Sequence, residues 1–227
     1  MNSRSDSRIR LAIVADLINE TYGPYALHPN ADPLGELIAT ILSQNTSDVN
    51  MERSYRSLRE TFATWDEIVS ADTAAVIAAI RIGGLANSKA PRIQSVLRDI
   101  RERVGGDDLA SLATMSLDAA KAWLTSLPGV GPKTAACVLL FSLGMPAMPV
   151  DTHVHRLSRR IGFVGPKVSA EETEDVLETL LGDNPDRIYS LHRGLLAHGR
   201  TICRARTPNC ADCILKEHCD FFRDLQH

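Results

Sequence analysis

The sequence predicts an all-α fold, on three observations. Apolar residues recur at helical spacing along most of the 227 residues. The alternation of Val, Ile and Thr expected of half-buried strands is nowhere sustained. Residues that cap helices precede the amphipathic runs, and glycines follow several of them. No internal repeat, low-complexity tract or flexible linker interrupts this pattern.

The first amphipathic run predicts a helix from Ser7 to Tyr22. Asp32 with Pro33 marks the start of the next, which reaches Leu42. Ser47 opens a helix to Phe62, and shorter helices follow from Thr64 to Ala71 and from Asp72 to Ile80. Gly83 and Gly84 stop that run. A long helix is expected from Asn87 to Val104, then one from Ser116 to Ser126 and one from Pro132 to Leu143. The last of these carries the apolar AACVLLF, in which Cys137 reads as a small core residue. Asp151 caps a helix from Thr152 to Ile161, Ser169 to Leu181 ends at Gly182, and Pro185 to His198 closes the series.

A hydrophobic content of 44% over this length allows one sizeable core or two small ones, and it excludes disordered and fibrous classes. The polar N-terminus is followed by no apolar stretch of signal-peptide or membrane-span length, so no membrane partner is expected and cytoplasmic residence is the default. The net charge of −3 argues against indiscriminate nucleic-acid binding, yet charge is unevenly spread. Between Asp118 and Glu171 the only acid is Asp151, whereas Lys121, Lys133, Arg156, Arg159, Arg160 and Lys167 lie in that interval. A second acid-free interval, from Asp186 to Asp212, holds Arg187, Arg193, Arg200, Arg204 and Arg206. Together these intervals predict one cationic face.

The most informative stretch runs from Leu127 to Asp151, LPGVGPKTAACVLLFSLGMPAMPVD. Gly129 and Gly131 permit a tight turn around Val130 and let backbone amides approach an anion, and Pro132 suits the first turn of the helix that follows. Orphan amides and the positive pole at that helix end favour a bound phosphate. The same pole disfavours an ammonium, which leans Lys133 toward the neutral amine a nucleophile needs.

Cys203, Cys210, Cys213 and Cys219 form a compact run able to wrap four thiolates around one tetrahedral ion or one cubane cluster. Zinc modules more often present two Cys-x-x-Cys knuckles; one such pair flanked by single cysteines makes an iron-sulfur cluster at least as natural. The loop between the first two ligands presents Arg204 and Arg206, and metal at both ends makes it a rigid phosphate-facing element.

LPGVGPKTA, PVDTH, GLANSKA and the HGRTIC-to-Cys219 run together resemble the endonuclease III family of helix-hairpin-helix DNA glycosylases with AP lyase activity. The resemblance spans nearly the whole chain. It implies a six-helix barrel domain over residues 33–144 and a [4Fe-4S] cluster domain made of residues 1–32 and 145–227. Lys133 falls on the family's Schiff-base lysine and Asp151 on its essential aspartate, and the four cysteines match its cluster ligands. Leu85 becomes the side chain that wedges into the duplex, and Lys89 belongs to the same DNA-facing segment. SQNTSD resembles the family's SAQATD, whose glutamine fills the space vacated by the extruded nucleotide; here Asn45 aligns with it and Gln44 stands one place earlier. His153, two residues past the aspartate, reads as a capping or packing histidine, with orienting the aspartate or contacting phosphate as its functional alternative.

The implied activity is excision of oxidised pyrimidines in base excision repair, followed by strand cleavage 3′ to the abasic site by β-elimination through a lysine Schiff base. The partner is double-stranded DNA carrying damaged bases or abasic sites, bound by a monomer at the nucleoid. Two alternatives stand beside it: a non-catalytic iron-sulfur DNA sensor, which needs neither Lys133 nor Asp151, and a monofunctional mismatch glycosylase of the same superfamily, whose usual residue at the position of Lys133 is not lysine.

Overall fold

The structure, a computed structural model, describes residues 3–226, with side chains from Asp6 onward. Its elements are α1 (Ser3–Tyr22), α2 (Pro33–Ser43), α3 (Asp48–Thr61), α4 (Trp65–Ser70), α5 (Thr73–Ile80), α6 (Ala86–Val104), α7 (Leu117–Thr125), α8 (Pro132–Leu143), α9 (Thr152–Ile161), α10 (Ala170–Leu181), α11 (Pro185–Thr201) and α12 (Asp220–Asp224). Short 3₁₀ turns at Arg81–Gly83, Ala110–Thr114 and Lys216–His218 complete them, and no strand occurs among the described residues. No described helix is long and apolar enough to cross a membrane.

Helix starts follow side-chain chemistry. Asp32, Ser47, Asp72 and Ser116 each accept a hydrogen bond from a first-turn amide of the helix they precede. Thr64 and Asn184 do the same, and Ser169 with Glu172 forms a reciprocal capping box. The 3₁₀ turns and α12 escaped the sequence reading because each is too short to show a period. The expected stop at Gly83 and Gly84 is in fact a 3₁₀ turn that ends at Gly84, with φ +68°.

The chain divides into two compact units. One spans Pro29 to Leu143. Its centre is α8, where Ala135, Ala136, Cys137, Val138, Leu139 and Leu140 are all buried. Ile38 and Ile41 of α2 and Ile93, Leu97 and Ile100 of α6 are fully buried in the same unit. Asn30 N and Ala31 N donate to Phe141 O and Ser142 O, so the entry to α2 is fixed to the end of α8. Gln94, almost fully buried on α6, donates from Nε2 to Ile68 O and Ala71 O and accepts from Thr73 Oγ1, which joins α4 and α5 to α6 without an unpaired polar atom.

The other unit combines the residues up to His28 with those from Gly144 onward. Leu11, Val14 and Ile18 of α1 are fully buried, as are Leu177 of α10 and Ile188 and Leu195 of α11. α1 and α11 pack so closely that a Cβ on Gly194 would lie 2.1 Å from Ile18 Cγ2. Gly194→Ala should therefore cost ~1–3 kcal/mol through overpacking. Gly106→Ala, where an added Cβ meets nothing within 4 Å, should melt near the wild-type temperature in the same calorimetric series.

Candidate active site

Leu127 and Val130 are buried and pin the hairpin to its unit, with Val130 N donating to Leu127 O at 3.2 Å. Gly129 and Gly131 stay exposed, and Gly129 has φ +76°. Val130, expected among the DNA contacts, is thus an anchor of the turn, only 5% exposed. Lys133 is the second residue of α8 and is half-buried. Its amine makes no hydrogen bond or ion pair among the described residues. Its charge acts on Glu36, a residue the sequence reading passed over although it is a carboxylate inside the apolar PLGELIATILS helix. Glu36 accepts from Thr40 Oγ1 and Asn30 Nδ2 at 3.3 and 3.2 Å. Burial pushes its carboxyl above the usual range, against the opposing pull of those bonds and of Lys133.

In the same unit, Asn45 and Leu85 both occupy the left-handed region, with φ of +53° and +52°. Leu85 is 55% exposed and Asn45 is exposed too. A β-carbon held in that region is a strain seen at functional sites. Lys89 departs from its expected role as a DNA contact. It is 2% exposed, and its Nζ donates to Leu42 O at 2.7 Å and Gly83 O at 3.0 Å. Two unpaired carbonyls draw the amine inward, and burial pushes it below the usual lysine range. Lys89 thereby ties the end of α2, next to Gln44 and Asn45, to the turn before Leu85. Gln44 is half-buried and accepts from Arg92 Nη1 at 2.9 Å.

In the other unit Asp151 caps α9. Its Oδ1 accepts from both His153 N and Val154 N, at 2.9 and 2.8 Å. Oδ2 has no partner among the described residues. The carboxylate is therefore oriented by backbone while one oxygen stays available. The preceding segment is held by Glu178 Oε1, which accepts from Met148 N, and by buried His192, whose Nδ1 lies 2.9 Å from Pro149 O. His153 Nδ1 accepts from Arg156 Nη2 at 3.1 Å, which leaves Nε2 carrying the ring proton.

Cys203, Cys210, Cys213 and Cys219 line one hollow with the apolar side chains of Ile202, Pro208, Phe221 and Phe222. Among the described residues no three donor side chains approach closely enough to hold a single metal ion. Four thiols around one hollow are a donor set that suits a thiolate-bound metal group. Burial pushes the thiols of Cys210, Cys213 and Cys219 up, Cys213 to about 11. Arg160 steadies this region. Its guanidinium donates to Cys203 Sγ, Arg204 O and Ala205 O and lies over the Phe221 ring. Arg156 donates to Gly199 O and Cys203 O. These bonds hold the loop from which Arg204 and Arg206 project into solvent, and they bring parts of both acid-free intervals together.

Residues 38–182 match the model of the HhH-GPD superfamily of base excision DNA repair proteins. The chain is 38% identical over 197 residues to an endonuclease III of Thermotoga maritima, covering 86% of each chain. It is 34% identical to an endonuclease III of Sulfolobus acidocaldarius, over 83% of this chain and 82% of the relative. Among solved structures, a trapped endonuclease III–DNA covalent intermediate in an estranged-adenine complex matches all of both chains with a TM-score of 0.79 at 26% identity. A non-covalent endonuclease III–DNA complex matches with a TM-score of 0.80 at 27% identity, over 100% of this chain and 99% of that one. The all-helical fold is the fold of those structures.

The Glu36 geometry makes a pH-dependent prediction. Its folded carboxyl keeps a proton to higher pH than the unfolded one, so stability falls as pH rises from the ordinary carboxylate range through the raised value. Glu36→Gln should melt higher than wild type at about pH 8, and the gain should shrink toward zero by about pH 4. Thermal melts across that range check it.

Proposed function

This chain belongs to the HhH-GPD superfamily of base excision DNA repair proteins and is a DNA glycosylase and AP lyase of the endonuclease III type; we propose that it excises oxidised pyrimidines from double-stranded DNA with Lys133 as nucleophile. The observation that carries this reading is the uncommitted Lys133 amine, two residues past Gly131 of the exposed hairpin at the positive end of α8. A lysine kept for a structural ion pair would have found a partner.

The target nucleotide leaves the base stack, at least cost when the base is damaged. Lys133 Nζ attacks C1′ while the bond from C1′ to the base breaks, and the departing base takes up a proton. Asp151 Oδ2 stabilises the positive charge that develops on the sugar and accepts a proton from the attacking amine. Opening of the sugar ring leaves a Schiff base between Nζ and C1′. Loss of a C2′ proton then expels the 3′ phosphate by β-elimination, which cuts the strand. Gly129 and Gly131 offer main-chain amides to phosphate, His153 supports Asp151, and Gln44, Asn45 and Leu85 occupy the space around the extruded nucleotide.

Cys203, Cys210, Cys213 and Cys219 would hold the [4Fe-4S] cluster, which supplies charge balance and cross-linking rather than a reaction step. With the Arg204 and Ala205 carbonyls fixed by Arg160, Arg204 and Arg206 meet the DNA backbone at little ordering cost.

Borohydride trapping on abasic duplex tests the nucleophile. Lys133→Gln should abolish the trapped adduct and keep affinity within about threefold of wild type; persistent trapping, or loss of binding to match, defeats the assignment. Asp151→Asn should retain the helix cap and the melting temperature while slowing excision by about 10²-fold or more in single-turnover assays. Arg204→Ala and Arg206→Ala should each weaken binding across sequences and flatten the salt slope by about one.

A further inference from the structure

Arg92 joins two segments that the proposed chemistry places on DNA. Its Nη1 donates to Gln44 Oε1 at 2.9 Å. Its Cδ and Nε lie so close over the hairpin that a Cβ on Gly129 would approach both to 2.8 Å. Lys89, one turn earlier on the same face of α6, fixes the main chain at Leu42 and Gly83. Leu85 itself begins the helix, so positions 85, 89 and 92 follow the i, i+4, i+7 spacing of a single face. Asn45 and Leu85, both exposed and both in left-handed conformation, stand on the loops this face secures.

The chemistry of the contact fixes more than distance. A guanidinium has donors only, so the Gln44 carbonyl oxygen must face it, and the amide must turn its two N–H donors the other way. No other side chain among the described residues bonds to that amide. Unsupported, a glutamine amide offers either its oxygen or its nitrogen to a base edge; supported by Arg92, it offers N–H alone.

We propose that Arg92 is a positioning residue that locks the Gln44 amide donor-outward and so sets which base opposite the lesion the protein prefers. The inference rests on the glycosylase reading for the placement of Gln44 at the duplex. It assigns Gln44 to reading the partner strand through hydrogen bonds and leaves Asn45, which has no side-chain bond, to fill space.

Equilibrium binding separates this from catalysis. Duplexes carrying a tetrahydrofuran abasic analogue opposite A, C, G or T are titrated with wild type, Arg92→Met, Gln44→Ala and the double variant. Methionine keeps an unbranched stem over Gly129 and removes the donor. The spread of dissociation constants among the four partners should narrow at least about threefold in Arg92→Met. Gln44→Ala should narrow it equally, and the double variant no further, as expected when one residue acts through the other. Arg98→Met, an exposed arginine on the same helix, controls for the lost charge. Uniform weakening by Arg92→Met across all four partners would make it a phosphate contact. A wild type with no partner preference, or variant effects that multiply, also overturns the proposal. Gln44→Glu gives a test that does not depend on Arg92→Met folding: it keeps the Arg92 contact but turns an acceptor outward, and should invert the order of preference; an unchanged order overturns the proposal. Borohydride trapping in parallel reports on the Schiff-base reading, whose failure with an intact partner profile would leave this inference standing.

Discussion

Unpaired backbone groups at helix ends are the constraint on which this structure depends. A protein built from helices leaves four amides and four carbonyls without intrahelical partners at each helix, and burial makes them costly. Here the side chains that meet that need also position the chemistry. Asp151 answers two amides of α9 with one oxygen and keeps the other free. Lys89 answers a carbonyl of α2 and another of the turn before Leu85 with one amine. Arg156 closes the end of α11 while holding Cys203. Function is thus placed where the helical ladder runs out, and stability and site geometry share the same bonds.

Local signals made much of this legible in the sequence. Caps, glycine stops and the apolar AACVLLF run depend on residues within a few positions of each other, and the helices they delimit fall within a residue or so of their expected starts, whereas α1, for which no cap was read, begins four residues before its expected Ser7. The cysteine spacing and the Gly-Val-Gly-Pro-Lys hairpin were equally readable, since each is contiguous. What escaped was pairing at long range. Gln44 and Arg92 are 48 residues apart, and His192 and Pro149 are 43 apart. Lys89 misled for a related reason: charge in a motif reads as surface, but two orphan carbonyls from distant turns pull the amine inside. Glu36 is the converse, a carboxylate in an apolar helix whose raised pKa comes chiefly from burial that only the packed unit supplies.

The charge distribution follows the same logic. A chain of net charge −3 meets a polyanion through local arrangement, not through overall sign. Arg156 and Arg160 spend most of their donors on main-chain carbonyls of the cysteine loop, and Arg204 Nε returns to Thr201 O. Arg206 projects from that loop with no such bond among the described residues.

The approach of Gly194 to Ile18 has a consequence for biosynthesis. α1 leaves the ribosome early, yet the helix whose glycine receives it is made more than 160 residues later. At typical elongation rates that interval is roughly 10–30 s. Throughout it, Leu11, Val14 and Ile18 lack their α11 partner, while the segment from Pro29 to Leu143 can complete its own core. The nascent chain must therefore shelter its first helix until its last long one emerges.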